Sequence, residues 1–182
     1  MSEKIGFKTI WHEAGINALV LTALCMAYTL IVNALTGVSQ ASWARIVSNL
    51  LMAAKIAGCI MLVRHYMFKF KAAHSDAQRG DVRRYGTVLC LLSAFVLSAL
   101  QMAYLIWNPE TVQQAIDTVM STMAQSLDRN QLNAIDEIMG KLPQLTFFGN
   151  LVYCSLWAVI LPSILASQVV SDNPFDEDEE DE

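Results

Sequence analysis

Residues 85–107 read YGTVLCLLSAFVLSALQMAYLIW, a run without one Asp, Glu, Lys or Arg, preceded by Arg83-Arg84 and closed by a tryptophan. An α-helix needs ~20 predominantly apolar residues to cross a hydrocarbon layer ~30 Å thick, so this stretch reads as a membrane span. Three more of the same kind surround it: 14–36, 44–63 and 146–170, with only Arg45 and Lys55 charged among them. Four such rods in one short chain predict an all-α fold, a four-helix transmembrane bundle. Composition agrees. The chain has 182 residues, 54% of them apolar, and a mean hydropathy of +0.38, high for a domain with a water-facing surface.

The remaining segments fall around these spans. Residues 1–13 form a leader, 14–170 the membrane domain, 108–145 a long connection between spans three and four, and 171–182 a tail. The tail follows Asp172-Asn173-Pro174-Phe175 with seven acids and predicts disorder. Without its eight acidic residues the net charge is +3 rather than −5, so the membrane body is mildly basic. A cleaved signal peptide is the rival reading of the first stretch. Its apolar run is too long for that, and the leader mixes Glu3 and Glu13 with Lys4 and Lys8.

Lys and Arg near span ends favour the cytoplasmic side. The leader and the connection between spans two and three hold Lys4, Lys8, Arg64, Lys69, Lys71, Arg79, Arg83 and Arg84. The opposite connections hold Arg45, Arg129 and Lys141. Both termini are therefore expected in the cytoplasm. Trp43 and Trp107 mark the outer interface and Trp11, Tyr66 and Tyr85 the inner one, with Trp157 near mid-span as a packing residue. The basic connection, Arg64–Arg84, reads as a surface for anionic lipid headgroups or a docking site for a cytoplasmic partner.

In the outer connection, Asn108-Pro109-Glu110 signals a helix start. Val112, Ile116, Val119, Met120, Met123 and Leu127 then fall on one helical stripe, and Leu132 to Leu142 carry a second. This predicts an extracytoplasmic amphipathic helical hairpin, lying on the outer leaflet or serving as a lid or groove.

Lys55 is the charge that needs explaining, because an intramembrane cation costs at least ~2.5–3.5 kcal/mol on insertion scales. No acid stands at its depth. Gln101, Tyr28, Thr29 and Asn49 are the candidate polar neighbours, and Lys55, Gln101 and Tyr28 together are the candidate binding site. A snorkelling lysine is the plainer alternative. Small residues at Gly86, Cys90, Ala94 and Ser98, and at Ala54 and Gly58, predict that spans two and three pack together. Pro162 is expected to kink span four. Cys25, Cys59, Cys90 and Cys154, one per span, read as scattered packing residues rather than disulfide or metal ligands.

No chemistry-bearing motif emerges. His12-Glu13 lacks the second histidine of a zinc helix, since position 16 is Ile. The spans hold no paired carboxylates, serine elbow, phosphate loop or broken-helix pair. No catalytic residue, metal or cofactor is assigned, and no nucleic-acid partner.

The four spans, the tight basic connection leading to Gly86, and the amphipathic segment ending in Lys141-Leu142-Pro143-Gln144-Leu145-Thr146-Phe147-Phe148 resemble the small bacterial inner-membrane proteins grouped as domain of unknown function 4199. The resemblance covers about residues 14–170 and brings no catalytic residues. It implies a multi-pass protein of the bacterial cytoplasmic membrane, with membrane lipids and a membrane-bound partner of glycosyltransferase type, in envelope lipid or polyprenyl-linked glycan assembly. Lys55 and the acidic tail lie outside that pattern. The expectation is a non-enzymatic accessory or scaffold protein; the alternative is a small lipid or anion transporter using Lys55. Homo-oligomers are compatible with both.

Overall fold

The structure, a computed structural model, describes residues 6–38, 42–110, 112–114, 117, 121, 138 and 140–170. Among these residues there is no strand. Four long helices dominate: α1 (Phe7–Val38), α2 (Ser42–Ala73), α3 (Arg79–Trp107) and α4 (Leu142–Val169). Each is long and apolar enough to cross a membrane. This is the expected all-α four-helix architecture of a multi-pass membrane protein. The second half of the outer hairpin and the acidic tail lie almost wholly outside the described residues. Of the hairpin, residues 109, 110, 112–114, 117, 121 and 138 are helical.

The helices overrun the apolar stretches. At 1.5 Å per residue, the 32 residues of α1 or α2 extend ~48 Å, well beyond a ~30 Å hydrocarbon core. Much of the connection from Arg64 to Arg84 is therefore itself helical. Nothing between Arg64 and Ala73 breaks a helix, so α2 runs on through its cationic end, and only residues 74–78 are non-helical. That turn is tied down locally. His74 N–H donates to the Phe70 carbonyl at 3.0 Å and Ala77 N–H to the His74 carbonyl at 3.0 Å. Lys71 Nζ donates to the Ser75 and Ala77 carbonyls at 2.7 and 2.8 Å. α3 then starts with Gln78 N–H donating to the Asp81 carboxylate at 3.2 Å, an acid placed at the positive end of the helix dipole.

Residue pairs across the interfaces fix the directions. α3 and α4 run antiparallel and share the most extensive interface. A Cβ on Gly86 would touch Pro162, and Ser98 bonds Asn150, so the register holds over ~18 Å of both helices. α1 runs parallel to α3, with Asn17 against Tyr85 and Thr22 against Ser93. α1 and α2 are antiparallel, with Cys25 against Cys59 and Tyr28 against Lys55. The result is an up-down-up-down bundle.

Spans two and three do touch, but not stripe to stripe as expected. The α3 stripe meets mainly α4: Gly86 is wedged between Met67 of α2 and Pro162 of α4, and Ser98 faces Asn150. Gly58 of α2 faces Leu24 of α1. Pro162 lies inside α4, fully buried, with no N–H to offer the Ala158 carbonyl.

The packed core sits at the end of the bundle that carries the α2–α3 turn. Ile10, Val63, Met67, Phe70, Tyr85 and Leu165 are buried there. Phe70 stacks on Tyr85 with centroids 4.3 Å apart and planes 9° apart. Tyr85 is 1% exposed, so it is a core residue rather than the interfacial anchor expected of it. No residue of α2 from 46 to 62 is buried. Leu50, Met61, Phe148, Val152 and Leu156 stand outward with many other large apolar side chains. In water this belt would far exceed the apolar patches that soluble monomers tolerate; in lipid it is the solvated surface. Trp157, expected inside the packing, belongs largely to this belt at 52% exposure.

Candidate functional site

Polar groups inside the bundle are paired across helices. Asn17 Nδ2 donates to the Tyr85 hydroxyl at 2.7 Å. Thr22 Oγ1 donates to the Ala18 carbonyl at 2.9 Å and lies 3.1 Å from Ser93 Oγ. Asn150 Nδ2 donates at 2.9 Å to Ser98 Oγ, whose own proton goes to the Ala94 carbonyl at 2.7 Å. Lipid offers no hydrogen bonds, so such pairs fix rotation and register. They are structural. Polar residues at these positions were visible in the sequence, but their partners depend on which faces meet.

The sequence-derived site is brought together only in part. Lys55 Nζ sits over the Tyr28 ring, 4.7 Å from its centroid, across the α1–α2 interface. This cation–π contact supplies the charge with a partner at its own depth. Lys55 lies nine residues from Arg64, or ~14 Å along α2, close to the middle of a bilayer. Among the described residues no contact joins Lys55 to Gln101. Thr29 Oγ1 donates to the Cys25 carbonyl on its own helix at 3.0 Å. Asn49 is exposed.

A second site lies in the basic connection, which the sequence reads as a surface for anionic lipid headgroups or a docking site. Where α3 begins, a cavity of about 620 Å³ opens between α1, α3 and α4. Arg83, Arg84, Thr87 and Ser163 give it a polar rim, and Val88 and Val159 an apolar wall. A smaller hollow of about 240 Å³ adjoins it, lined by Arg79, Gly80, Arg83 and Ser163. The first turns of α3 thus bring three guanidinium groups to one side. Asp81 is their one acidic neighbour on this helix, and its carboxylate stands 3.9 Å from the exposed Arg84 guanidinium, too far for a hydrogen bond. Ser163 Oγ donates to the Val159 carbonyl at 2.7 Å, so its hydroxyl oxygen can only accept a further hydrogen bond. Guanidinium forks match phosphate oxygens, and the N-terminus of α3 adds its dipole. Head and wall together suit an amphiphile with an anionic head and a hydrocarbon tail. The signal in the sequence was the Arg79-x3-Arg83-Arg84 spacing; the missing part was the α4 wall.

All four cysteines are free. They are not scattered, as the sequence suggested. One from each helix lines a single, partly open chamber of about 140 Å³, with Ser93 and Trp157 among the other walls. Cys25 Sγ and Cys59 Sγ are 3.6 Å apart, and Cys154 Sγ donates to Asn150 Oδ1 at 3.6 Å. Among the described residues no group of three or more His, Cys, Asp or Glu is gathered to hold a metal ion.

The fold and its outward apolar belt define the class, a multi-pass helical membrane protein. No known protein family, curated protein or solved structure matches the chain. The resemblance drawn from the span-and-loop pattern therefore rests on that pattern alone.

Proposed function

We propose that this protein is a non-enzymatic accessory subunit of the bacterial inner membrane that holds a phosphate-headed lipid at its basic, cytoplasmic end and presents it to a membrane-bound partner. The arginine-rimmed cleft carries the reading. Its cations stand where the apolar part of α3 begins, at the depth of lipid phosphates, and its apolar wall continues along α4 toward the hydrocarbon. The excess of Lys and Arg at this end supports the cytoplasmic orientation. The family resemblance supports a partner that handles lipid-linked sugars, such as a glycosyltransferase. Lys55 is satisfied by Tyr28 and not aimed at the cleft, so it has no part in this binding.

The test is the lipid that stays with the protein. Each cation near a membrane surface contributes ~1 kcal/mol toward anionic lipid. The double variant Arg79→Gln/Arg83→Gln should therefore lose ~2 kcal/mol, a preference lower by about 30-fold. Native mass spectrometry of the full chain released from nanodiscs of mixed phosphatidylethanolamine and polyprenyl phosphate reads this directly. Arg64→Gln is the control, because Arg64 lies over Phe68 on α2, 5.4 Å from its ring centroid and outside the cleft. Wild type and Arg64→Gln should retain the phosphate lipid and the double variant should not. Equal retention by all three would overturn the reading.

A further inference from the structure

The thiol chamber is independent of the basic end and is not needed for lipid binding there. Packing alone does not ask for cysteine, since alanine or serine would let the helices approach as closely. Yet every cysteine in the chain faces one void, and two of them already touch.

Lys55 stands next to this chamber. It precedes Cys59 by one helical turn on α2, and its ammonium covers Tyr28, which follows Cys25 by one turn on α1. The α1–α2 seam thus stacks a cation layer directly on a dithiol layer. An uncompensated thiolate pair is costly at this depth, and the ammonium over Tyr28 is the nearby positive charge. Two thiolates, one monovalent metal ion and one ammonium sum to zero charge. We propose that Cys25 and Cys59 form a two-thiolate site for a soft monovalent metal ion of the cuprous class, with Lys55 as its charge partner.

The metal class follows from the donors. Thiolate sulfur selects soft ions. Structural zinc wants four ligands in a tetrahedron, and no third ligand is gathered with this pair. A cuprous ion accepts two sulfurs in a line. Its entry separates the sulfurs beyond their present 3.6 Å, and the adjoining chamber gives the room. Binding converts two thiols and one metal ion into one bis-thiolate complex and releases two protons, with no electron transferred.

The experiment uses the full chain in nanodiscs under anaerobic conditions, with silver(I) as a redox-inert probe and copper(I) buffered by a chelator. Wild type should retain one ion of either metal per chain, and the bound ion should shield Cys25 and Cys59 from a lipid-permeant maleimide while Cys90 and Cys154 still react. Cys25→Ser and Cys59→Ser should abolish retention, and Cys90→Ser/Cys154→Ser should preserve it. Lys55→Met should weaken affinity by about tenfold, the lower range for a neighbour that supports a metal ligand. Reduced wild type without a bound ion overturns the proposal. So does unchanged retention by the Cys25→Ser/Cys59→Ser double variant. Should the serine variants fail to fold by circular dichroism, the maleimide map of wild type decides: shielding of Cys90 and Cys154, or of no cysteine, refutes the site.

Discussion

Replacing Gly86 by alanine should separate α3 from α4, and the size of the effect follows from the geometry. A Cβ at this position would stand 2.9 Å from Met67 Sδ and 2.9 Å from Pro162 Cβ. Comfortable contact needs ~3.5–4.0 Å, so the overlap is ~0.6 Å or more on both sides. Met67 has rotatable bonds but is fully buried; Pro162 is a ring fixed to the backbone of α4. The helices must therefore part, at the cost of ~1–3 kcal/mol typical of overpacking. Alanine recovers up to ~1 kcal/mol of helix propensity. The net expectation is a loss of ~0–2 kcal/mol, centred on ~1. Gly149→Ala is the matched control, because a Cβ there meets nothing within 4 Å and only the propensity gain applies. The two variants should differ by ~2 kcal/mol, about 30-fold in the unfolding equilibrium. Far-ultraviolet circular dichroism during titration of mixed micelles with sodium dodecyl sulfate measures this. A Gly86→Ala protein as stable as Gly149→Ala would refute the α3–α4 packing described here.

Other substitutions test other joints. Asn150→Leu removes the donor to Ser98 Oγ and should cost ~0.5–1.5 kcal/mol in the same titration, within the range for interhelical bonds in lipid. Tyr85→Phe keeps the stack on Phe70 but frees Asn17 and should cost ~1 kcal/mol. Lys55→Met exchanges an intramembrane charge costing ~2.5–3.5 kcal/mol for a cation–π gain of ~0.5–2, so the metal-free protein should become more stable by ~1 kcal/mol.

The spans were legible because a bilayer writes its thickness into the sequence as uninterrupted apolar length. Their helices were harder to bound, since hydropathy ends at Val63 while nothing in Arg64–Ala73 stops the helix. Rotation was hidden. Each helix is apolar nearly all round, so periodicity does not say which stripe faces a neighbour. That is why the sequence pairs the Gly86–Ser98 stripe with α2 alone although it meets mainly α4, and why four cysteines at four unrelated positions look unconnected. The arginine cleft was half visible, as a basic segment, but its wall from Val159 to Ser163 comes from a helix more than seventy residues away. Of the polar neighbours the sequence offers Lys55, Tyr28 is the one whose ring lies under its ammonium.

The whole account depends on acyl chains being the solvent of the outward apolar belt, with the α3 cleft at the headgroups. Spin labels on single cysteines, introduced into a cysteine-free background and reconstituted in bilayers, measure this through collision with oxygen and with a water-soluble nickel chelate. Labels at Leu50, Val152 and Leu156 should be open to oxygen and closed to nickel, Asp76 should show the reverse, and Gly80 at the cleft should fall between them. Nickel accessibility at Val152 or Leu156 equal to that at Asp76 would contradict it.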